Sequence, residues 1–270
     1  MKRTLCVLFV MGCAVNAFAQ GKKPDSKEVT TVTTTTTTVA SDVDLLGGET
    51  FNVIDATPLK ECTVDLRLSG RWIESHEWIV QPEIVWGAVE NLELSVTTPV
   101  WVDGEPEEGN YDTYLGALWR FREQQDYWPA MALGSSIRIP TGEGSNGLDA
   151  ELRLSMTNEY DNGLRSHLNF FASTVNTDNN ENARHFQYGA VVGLDGPLCA
   201  DGAVRWVVDY MYRISKDENG GRMNIGEAGW QWQIADAHKL GMSVQAGLDH
   251  AEDSTPNIGA ALTYSYTIAN

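Results

Sequence analysis

The side chains best suited to catalysis or metal binding are few in this sequence and widely spaced. The histidines follow no zinc-ligand spacing: they are His76, His167, His185, His238 and His250. No pair of cysteines resembles a metal site. The glycine-rich stretch 141–144 lacks the strand-to-helix context of a phosphate-binding loop. We therefore expect no catalytic residues, no metal and no cofactor.

Two Ser-His dipeptides are the remaining candidates for nucleophilic chemistry. They are Ser75-His76 and Ser166-His167. Adjacent residues of a β-strand point to opposite faces, so neither dipeptide can form a Ser–His couple from its own two members. A catalytic partner would have to come from a neighbouring strand. A lipid hydrolase acting at the rim of a membrane barrel is retained only as a remote alternative.

Arginines and carboxylates form the most regular chemical pattern. Of eleven arginines beyond residue 20, nine fall on the polar phase of alternating segments, and the predicted strands exclude lysine. Guanidinium groups pair with carboxylates in a forked geometry that suits a confined interior better than the water-facing surface of a β-sandwich. We expect the interior of a barrel to be lined by Arg67, Arg71, Glu83, Glu93, Arg120, Arg122, Arg138, Glu151, Arg153, Arg165, His167, Arg205, Asp209, Arg213, Glu227 and Asp249.

The elements that carry these residues are predicted β-strands. From Thr63 onward, segments of roughly ten residues alternate between apolar and polar side chains and are separated by Gly, Asn, Asp and Pro. Twelve such segments follow one another without a helical interruption, and Trp101 falls out of phase after Pro99, which predicts a bulge. Short and long connections alternate, as in barrels with short periplasmic turns and longer extracellular loops. The sequence predicts an all-β fold, a transmembrane antiparallel up-and-down β-barrel of about 12 strands.

The first residues indicate export. A positive start at Lys2-Arg3, a short apolar run over residues 5–15 and the stretch 17–19 predict a signal peptide over residues 1–19, cleaved between Ala19 and Gln20. Lipoprotein processing at Cys13 is the alternative. The apolar run is too short for a membrane-spanning helix, which needs about 20 residues. We place the barrel in the outer membrane of a Gram-negative bacterium.

The next forty residues have a different composition. Residues 20–61 include the unbroken threonine run 33–38 and too few apolar side chains to offset the entropy of ordering. We expect a disordered periplasmic leader over 20–61 and the barrel over 62–270. An oxidising compartment permits a disulfide between Cys62 and Cys199, although two thiols alone do not establish one.

Net charge excludes one class of partner. The full chain carries a formal charge of −18, and loss of Lys2 and Arg3 with the signal peptide changes this to −20. So acidic a protein repels nucleic acid. The expected partners are outer-membrane lipid and lipopolysaccharide, the barrel-assembly machinery and a small-molecule solute.

Several stretches resemble a known barrel family. Residues 55–59 and 63–71, followed by 90–94, 129–133 and 139–142, are similar to the family labelled "MetA-pathway of phenol degradation". The similarity covers about residues 55–270 and its motifs are moderately specific. It implies an outer-membrane transporter, in some cases linked to uptake of aromatic compounds, and it supplies no catalytic residues.

Barrel size and charge placement lead to a functional expectation. Eight strands give a filled interior and sixteen to eighteen a wide pore, so about 12 should leave a small lumen. We expect a porin-like channel or transporter for small, aromatic or anionic, solutes. A mild anion preference at the periplasmic mouth is expected, with Arg120 and Arg122 as the residues that test it. The alternative is a closed structural or surface-interaction barrel whose lumen is sealed by salt bridges.

Overall fold

The computed structural model describes the barrel and the residues directly before it. The described ranges are 51–73, 77–103, 112–142, 147–174, 176, 184–215, 221–248 and 258–269. All of them belong to one compact unit, residues 39–270. The predicted signal peptide, its cleavage site and Cys13 lie outside the described residues, as does the leader up to residue 50.

Within these ranges the secondary structure is entirely β. The strands are β1 (Thr63–Ile73), β2 (Glu77–Val89), β3 (Leu92–Thr97), β4 (Val100–Asp103), β5 (Thr113–Arg122), β6 (Ala130–Ile139), β7 (Asp149–Glu159), β8 (Arg165–Thr174), β9 (Phe186–Pro197), β10 (Val204–Ile214), β11 (Arg222–Ala235), β12 (His238–Gly247) and β13 (Ile258–Ala269). The described part of the chain contains no helix long and apolar enough to cross a membrane.

The sheet closes on itself. β1 pairs antiparallel with both β2 and β13. β3 pairs with β2 and β5, and the strands from β5 to β13 pair in chain order. β3 and β4 both pair with β2 and are two parts of one strand, interrupted at Pro99, whose ring nitrogen has no hydrogen to donate. The register shifts where β4 meets β2, which confirms the irregularity predicted near Trp101. The fold is the predicted closed 12-stranded antiparallel barrel.

Side chains alternate between a buried polar phase and an exposed apolar phase. In β7, Glu151, Arg153 and Ser155 are buried, whereas Leu152 between them is 54% exposed. The outward surface of the other strands is likewise apolar, as at Phe170 in β8 and Val208 in β10. This is the reverse of a soluble protein and is what a lipid-facing surface requires.

The two ends of the barrel differ. At one end the turns are short, such as the two residues between β11 and β12, and Thr63 of β1 pairs with Ala269 of β13. By the rule for outer-membrane barrels this is the periplasmic end. Exposed aromatic side chains surround it, as in the aromatic girdle at a membrane interface: Trp119, Trp128, Trp232, Tyr264 and Tyr266.

The chain before β1 turns back into the barrel. Cys62 adopts a positive φ of 61°, its N–H donates to the Gly87 carbonyl (2.9 Å), and Thr63 N–H donates to the Lys60 carbonyl (3.2 Å). Residues 51–59, here called the lumen segment, lie inside the barrel against wall side chains of several strands. The sequence predicted a disordered leader over 20–61, but its described residues, 51–61, are ordered. The reason is that the lumen supplies binding partners that the leader sequence does not reveal.

Candidate functional site

Two buried side chains and one half-buried side chain of the wall bind the backbone of the lumen segment. They come from three strands, since β3, β7 and β8 contribute one side chain apiece. The bonds run from Ile54 N–H to Asn169 Oδ1 (2.8 Å), from Asn169 Nδ2 to the Ile54 carbonyl (2.9 Å), from Ala56 N–H to Thr157 Oγ1 (3.0 Å) and from Leu59 N–H to Glu93 Oε2 (2.6 Å). The wall therefore holds a peptide chain without adding it to the sheet.

Asn52 lies between two carboxylates. Asp209 and Glu227 are directly opposite each other on β10 and β11 and both are buried. The Asn52 side-chain amide donates to Glu227 (2.8 Å) and to Asp209 (3.2 Å), and its backbone N–H donates to Glu227 (3.0 Å). Arg153 donates to the Asn52 carbonyl (3.4 Å). Buried carboxylates need such donors, because desolvation without compensation is costly.

Asp195 is the centre of a charged cluster near the periplasmic end. Its carboxylate accepts from Arg165 Nε (3.0 Å) and Arg205 Nε (2.6 Å), and it lies 2.6 Å from His167 Nε2. Arg165 also forms an ion pair with Asp55 of the lumen segment. The cluster thus connects the segment to β8, β9 and β10, and it places Arg165, His167 and Arg205 on the lumen side.

His167 has a hydrogen-bond partner at each ring nitrogen. Nδ1 lies 3.0 Å from Thr157 Oγ1, which also accepts from Ala56 N–H. Nε2 lies 2.6 Å from the Asp195 carboxylate. The order hydroxyl–imidazole–carboxylate is that of a hydrolytic triad, yet Thr157 is only 5% exposed and already occupied by the lumen segment. The arrangement holds the segment and gives no substrate access.

The Ser-His alternative receives no support from the described residues. Ser166 Oγ hydrogen-bonds to Tyr160 Oη (3.2 Å), and the imidazole of the adjacent His167 bonds to Thr157 and Asp195 instead. Ser75 and His76 lie outside the described residues. No cluster of metal-ligating side chains occurs in the described ranges.

Part of the interior is apolar, which was not predicted from the sequence. Phe51 and Val53 pack in a buried cluster with Phe171, Val191, Val207, Met211, Met223 and Ile225. Ile54 and Ala56 pack with Leu118, Ala130 and Ala132. Two signals were available in the sequence: apolar residues on the inward phase of β9 to β11, and the apolar residues Phe51, Val53 and Ile54 in an otherwise polar leader.

Most other predicted lumen residues form ion pairs or hydrogen bonds on the inward phase. Arg71 interacts electrostatically with Glu227, and Glu93 binds the lumen segment. The pairs are Arg67 with Asp65 (2.8 Å) and Glu83 (3.3 Å), Arg138 with Asp112 (2.6 Å) and Asp149 (2.7 Å), Arg153 with Glu151 (2.9 Å), Arg213 with Gln187 (2.9 Å), and Arg120 with Asn91 (2.9 Å) and Glu123 (3.1 Å).

Three expectations differ from the structure or fall outside it. A register shift between Arg120 and Arg122 places Arg122 opposite Met131, on the outward phase, where it lies over the Trp128 ring at 4.6 Å. Lys239 lies within β12, so lysine is not excluded from the strands. Asp249 lies outside the described residues.

Cys62 and Cys199 do not form a disulfide with each other. Cys62 and Cys199 are both free and exposed, and several strands separate them around the periplasmic rim. Cys199 Sγ donates instead to Asp201 Oδ1 (2.8 Å), and this hydrogen bond lowers the pKa of Asp201.

A small polar cavity lies on the inward face of the strands that close the barrel, near the periplasmic end. Its volume is about 30 Å³, which is room for a water molecule and not for a solute. It is lined by Asp65, Arg67, Gln231, Lys239, Gly241, Thr263 and Ser265. These residues belong to β1, β11, β12 and β13, the side of the barrel opposite the Asn169 and Thr157 contacts.

Comparison with known proteins identifies the fold. No protein family matches the sequence, so the resemblance to the phenol-degradation family is not confirmed, and no curated protein sequence matches it. An outer membrane channel from Pseudomonas putida F1 has a TM-score of 0.61 at 12% identity, covering 84% of this chain and 100% of that chain. NanC porin has a TM-score of 0.56 at 9% identity, covering 75% and 98%. KdgM porin in complex with disordered oligogalacturonate has a TM-score of 0.50 at 10% identity, covering 76% and 98%.

These similarities place the protein among outer-membrane β-barrels. The apolar outer surface, the polar interior and the closed 12-stranded sheet agree with that class. The protein is an outer-membrane barrel protein, as the sequence predicted.

Proposed function

We propose that the protein is an outer-membrane channel for small solutes and that the lumen segment holds it closed. One observation carries the proposal: the segment lies in the lumen but takes no part in the strand pairing that closes the barrel. It is held by side-chain hydrogen bonds, one ion pair and apolar packing. The segment can therefore leave while the barrel stays intact.

The wall behind the segment supports a water-filled path. Departure of the segment would expose Asn169, Thr157, Asp209 and Glu227, all of which water can hydrogen-bond. The solved barrels that share this fold are described as channels and porins. No catalytic step is part of the proposal. The preference for aromatic or anionic solutes stays a prediction.

Conductance of two matched variants tests the proposal. Val53→Asp buries a carboxylate in the apolar cluster around Val191 and Val207, which is costly enough to expel the segment. Thr57→Asp adds the same charge at an exposed position of the segment. We expect Val53→Asp to raise single-channel conductance and liposome swelling several-fold, and Thr57→Asp to behave as the wild type.

A sealed structural barrel is the second candidate. It is favoured by the complete burial of wall residues such as Val85, Asn169 and Gln187. If the Val53→Asp protein is folded by heat-modifiable gel migration and still passes no solute of any charge, the sealed barrel is correct and the channel is not.

A further inference from the structure

We infer that the lumen wall is a binding site for peptide chains and that oligopeptides are the solutes of this channel. The inference rests on the proposed function and names its substrate class. It follows from the chemistry by which the wall holds its present occupant, residues 51–59.

The wall contacts groups that every peptide shares. It accepts hydrogen bonds from the backbone N–H groups of Asn52, Ile54, Ala56 and Leu59. It donates to the backbone carbonyls of Asn52 and Ile54. Three of these residues are spaced by two, as in an extended chain whose alternate residues meet one side of a site. Recognition through main-chain groups gives affinity that depends little on sequence.

The contact of Asn169 with Ile54 is the most specific element. The side-chain amide accepts from the Ile54 N–H and donates to the carbonyl of the same residue, at 2.8 and 2.9 Å. Every residue except proline offers this donor and acceptor pair. An aromatic hydrocarbon offers neither group.

The site is built into the wall and is not a surface coincidence. Asn169 is 0% exposed, Arg153 1%, Glu227 4% and Thr157 5%. These polar groups come from β7, β8 and β11. Buried polar groups need hydrogen-bond partners, which either an occupant of the lumen or water must supply.

The wall also contacts the side chains of the lumen segment, and these contacts indicate which peptides the site would bind. The cluster with Val191 and Val207 receives Phe51 and Val53, and the cluster with Leu118, Ala130 and Ala132 receives Ile54 and Ala56. Arg165 pairs with the carboxylate of Asp55. The site therefore suits peptides rich in apolar side chains, with an acidic residue near the periplasmic end.

Binding to the full-length Val53→Asp protein tests the inference. The probe is a fluorescently labelled peptide with the sequence of residues 50–60, measured by anisotropy in detergent. We expect it to bind the variant at least ten-fold more tightly than the wild type, whose own segment competes. Methylation of the peptide nitrogens that correspond to Ile54 and Ala56 should weaken binding at least ten-fold, since both hydrogen bonds are lost.

A second substitution provides the matched control. In Val53→Asp/Asn169→Leu the unmethylated peptide should bind about as weakly as the methylated one, and methylation at the Ile54 nitrogen should have little further effect. Thr157→Val in place of Asn169→Leu should do the same for the Ala56 nitrogen. Heat-modifiable migration verifies that each barrel is folded.

The outcomes separate this inference from the channel itself. If methylated and unmethylated peptides bind equally, or a maltooligosaccharide of the same mass competes equally well, the peptide site is rejected while conductance of Val53→Asp still supports a channel. If the peptide binds as expected and Val53→Asp passes no solute, the binding site stands and transport is rejected.

Discussion

At the scale of single residues, the interior is organised by the need to compensate buried charge. Arg153 is the clearest case, because its side chain pairs with Glu151, donates to the Asn52 carbonyl and lies over the Phe171 ring at 5.0 Å. A guanidinium this far from solvent is tolerated only with such partners.

Substitution of Arg153 should therefore be costly for stability. Arg153→Met removes the ion pair between Arg153 and the buried Glu151 carboxylate, and we expect the free energy of unfolding to fall by about 3–5 kcal/mol. Urea titration in detergent micelles, followed by tryptophan fluorescence, measures this change. The double variant Glu151→Gln/Arg153→Met removes both charges and should recover a large part of the loss. Equal stability of the single and double variants would contradict the argument.

At the scale of elements, the lumen segment and β2 meet in a contact that only glycine allows. A Cβ atom at Gly87 would overlap the carbonyl oxygen of Lys60. The same glycine accepts the Cys62 N–H through its own carbonyl, so the turn that returns the chain to the barrel lies directly on it.

Gly87→Ala should loosen this turn. We expect trypsin to cleave after the exposed Lys60 several-fold faster than in the wild type, because local opening of the turn becomes easier. Gly70→Ala on β1 is the control, since no atom lies within 4 Å of its added Cβ. A time course on a denaturing gel distinguishes the two. Equal cleavage rates for both variants would show that the Gly87 contact does not hold the turn.

Strand number and phase could be predicted from sequence because lipid and lumen make opposite demands on alternate residues. In β7, for example, the apolar Leu152 faces outward and the charged Arg153 faces the lumen, so the polarity of each residue predicts its side of the wall. The irregularity near Trp101 was predicted, but the alternation in β5 gives no sign of the register shift that turns Arg122 outward. A shift of one residue inverts the face, so a correct strand can still carry a wrong site assignment.

The lumen segment could not be predicted for a different reason. Its partners Asn169 and Glu227 lie 115 and 175 residues away from the positions they bind, and no local pattern records such contacts. Phe51, Val53 and Ile54 are apolar, but a few apolar residues in a polar leader also fit a disordered chain. Only the three-dimensional wall identifies it as a bound peptide.

At the scale of the whole molecule, the outer surface of the barrel is a band of apolar side chains that face the lipid. Val208, at the middle of β10, is 41% exposed and points to lipid. The periplasmic turn residue Tyr127 is 97% exposed outside the strands.

Charge placed in this band should destabilise the barrel according to depth. Val208→Arg should lower the free energy of unfolding in phospholipid vesicles by about 2–4 kcal/mol, whereas Tyr127→Arg should lower it by about 0–1 kcal/mol. Denaturant-dependent refolding, scored by heat-modifiable migration, compares the two. Equal costs at the two positions would indicate that Val208 does not face the hydrocarbon.

The position of the lumen segment also constrains how the protein matures. The segment precedes every described strand and is therefore synthesised before them, yet Asp209 and Glu227, which bind Asn52, belong to β10 and β11. Contacts of such high sequence separation form late in folding. A complete docking site exists only after β11 has joined the sheet, so insertion into the membrane and closure of the lumen are successive events. If the barrel is the channel proposed above, it passes after assembly through a leaky interval whose length depends on how quickly the lumen segment binds to the wall.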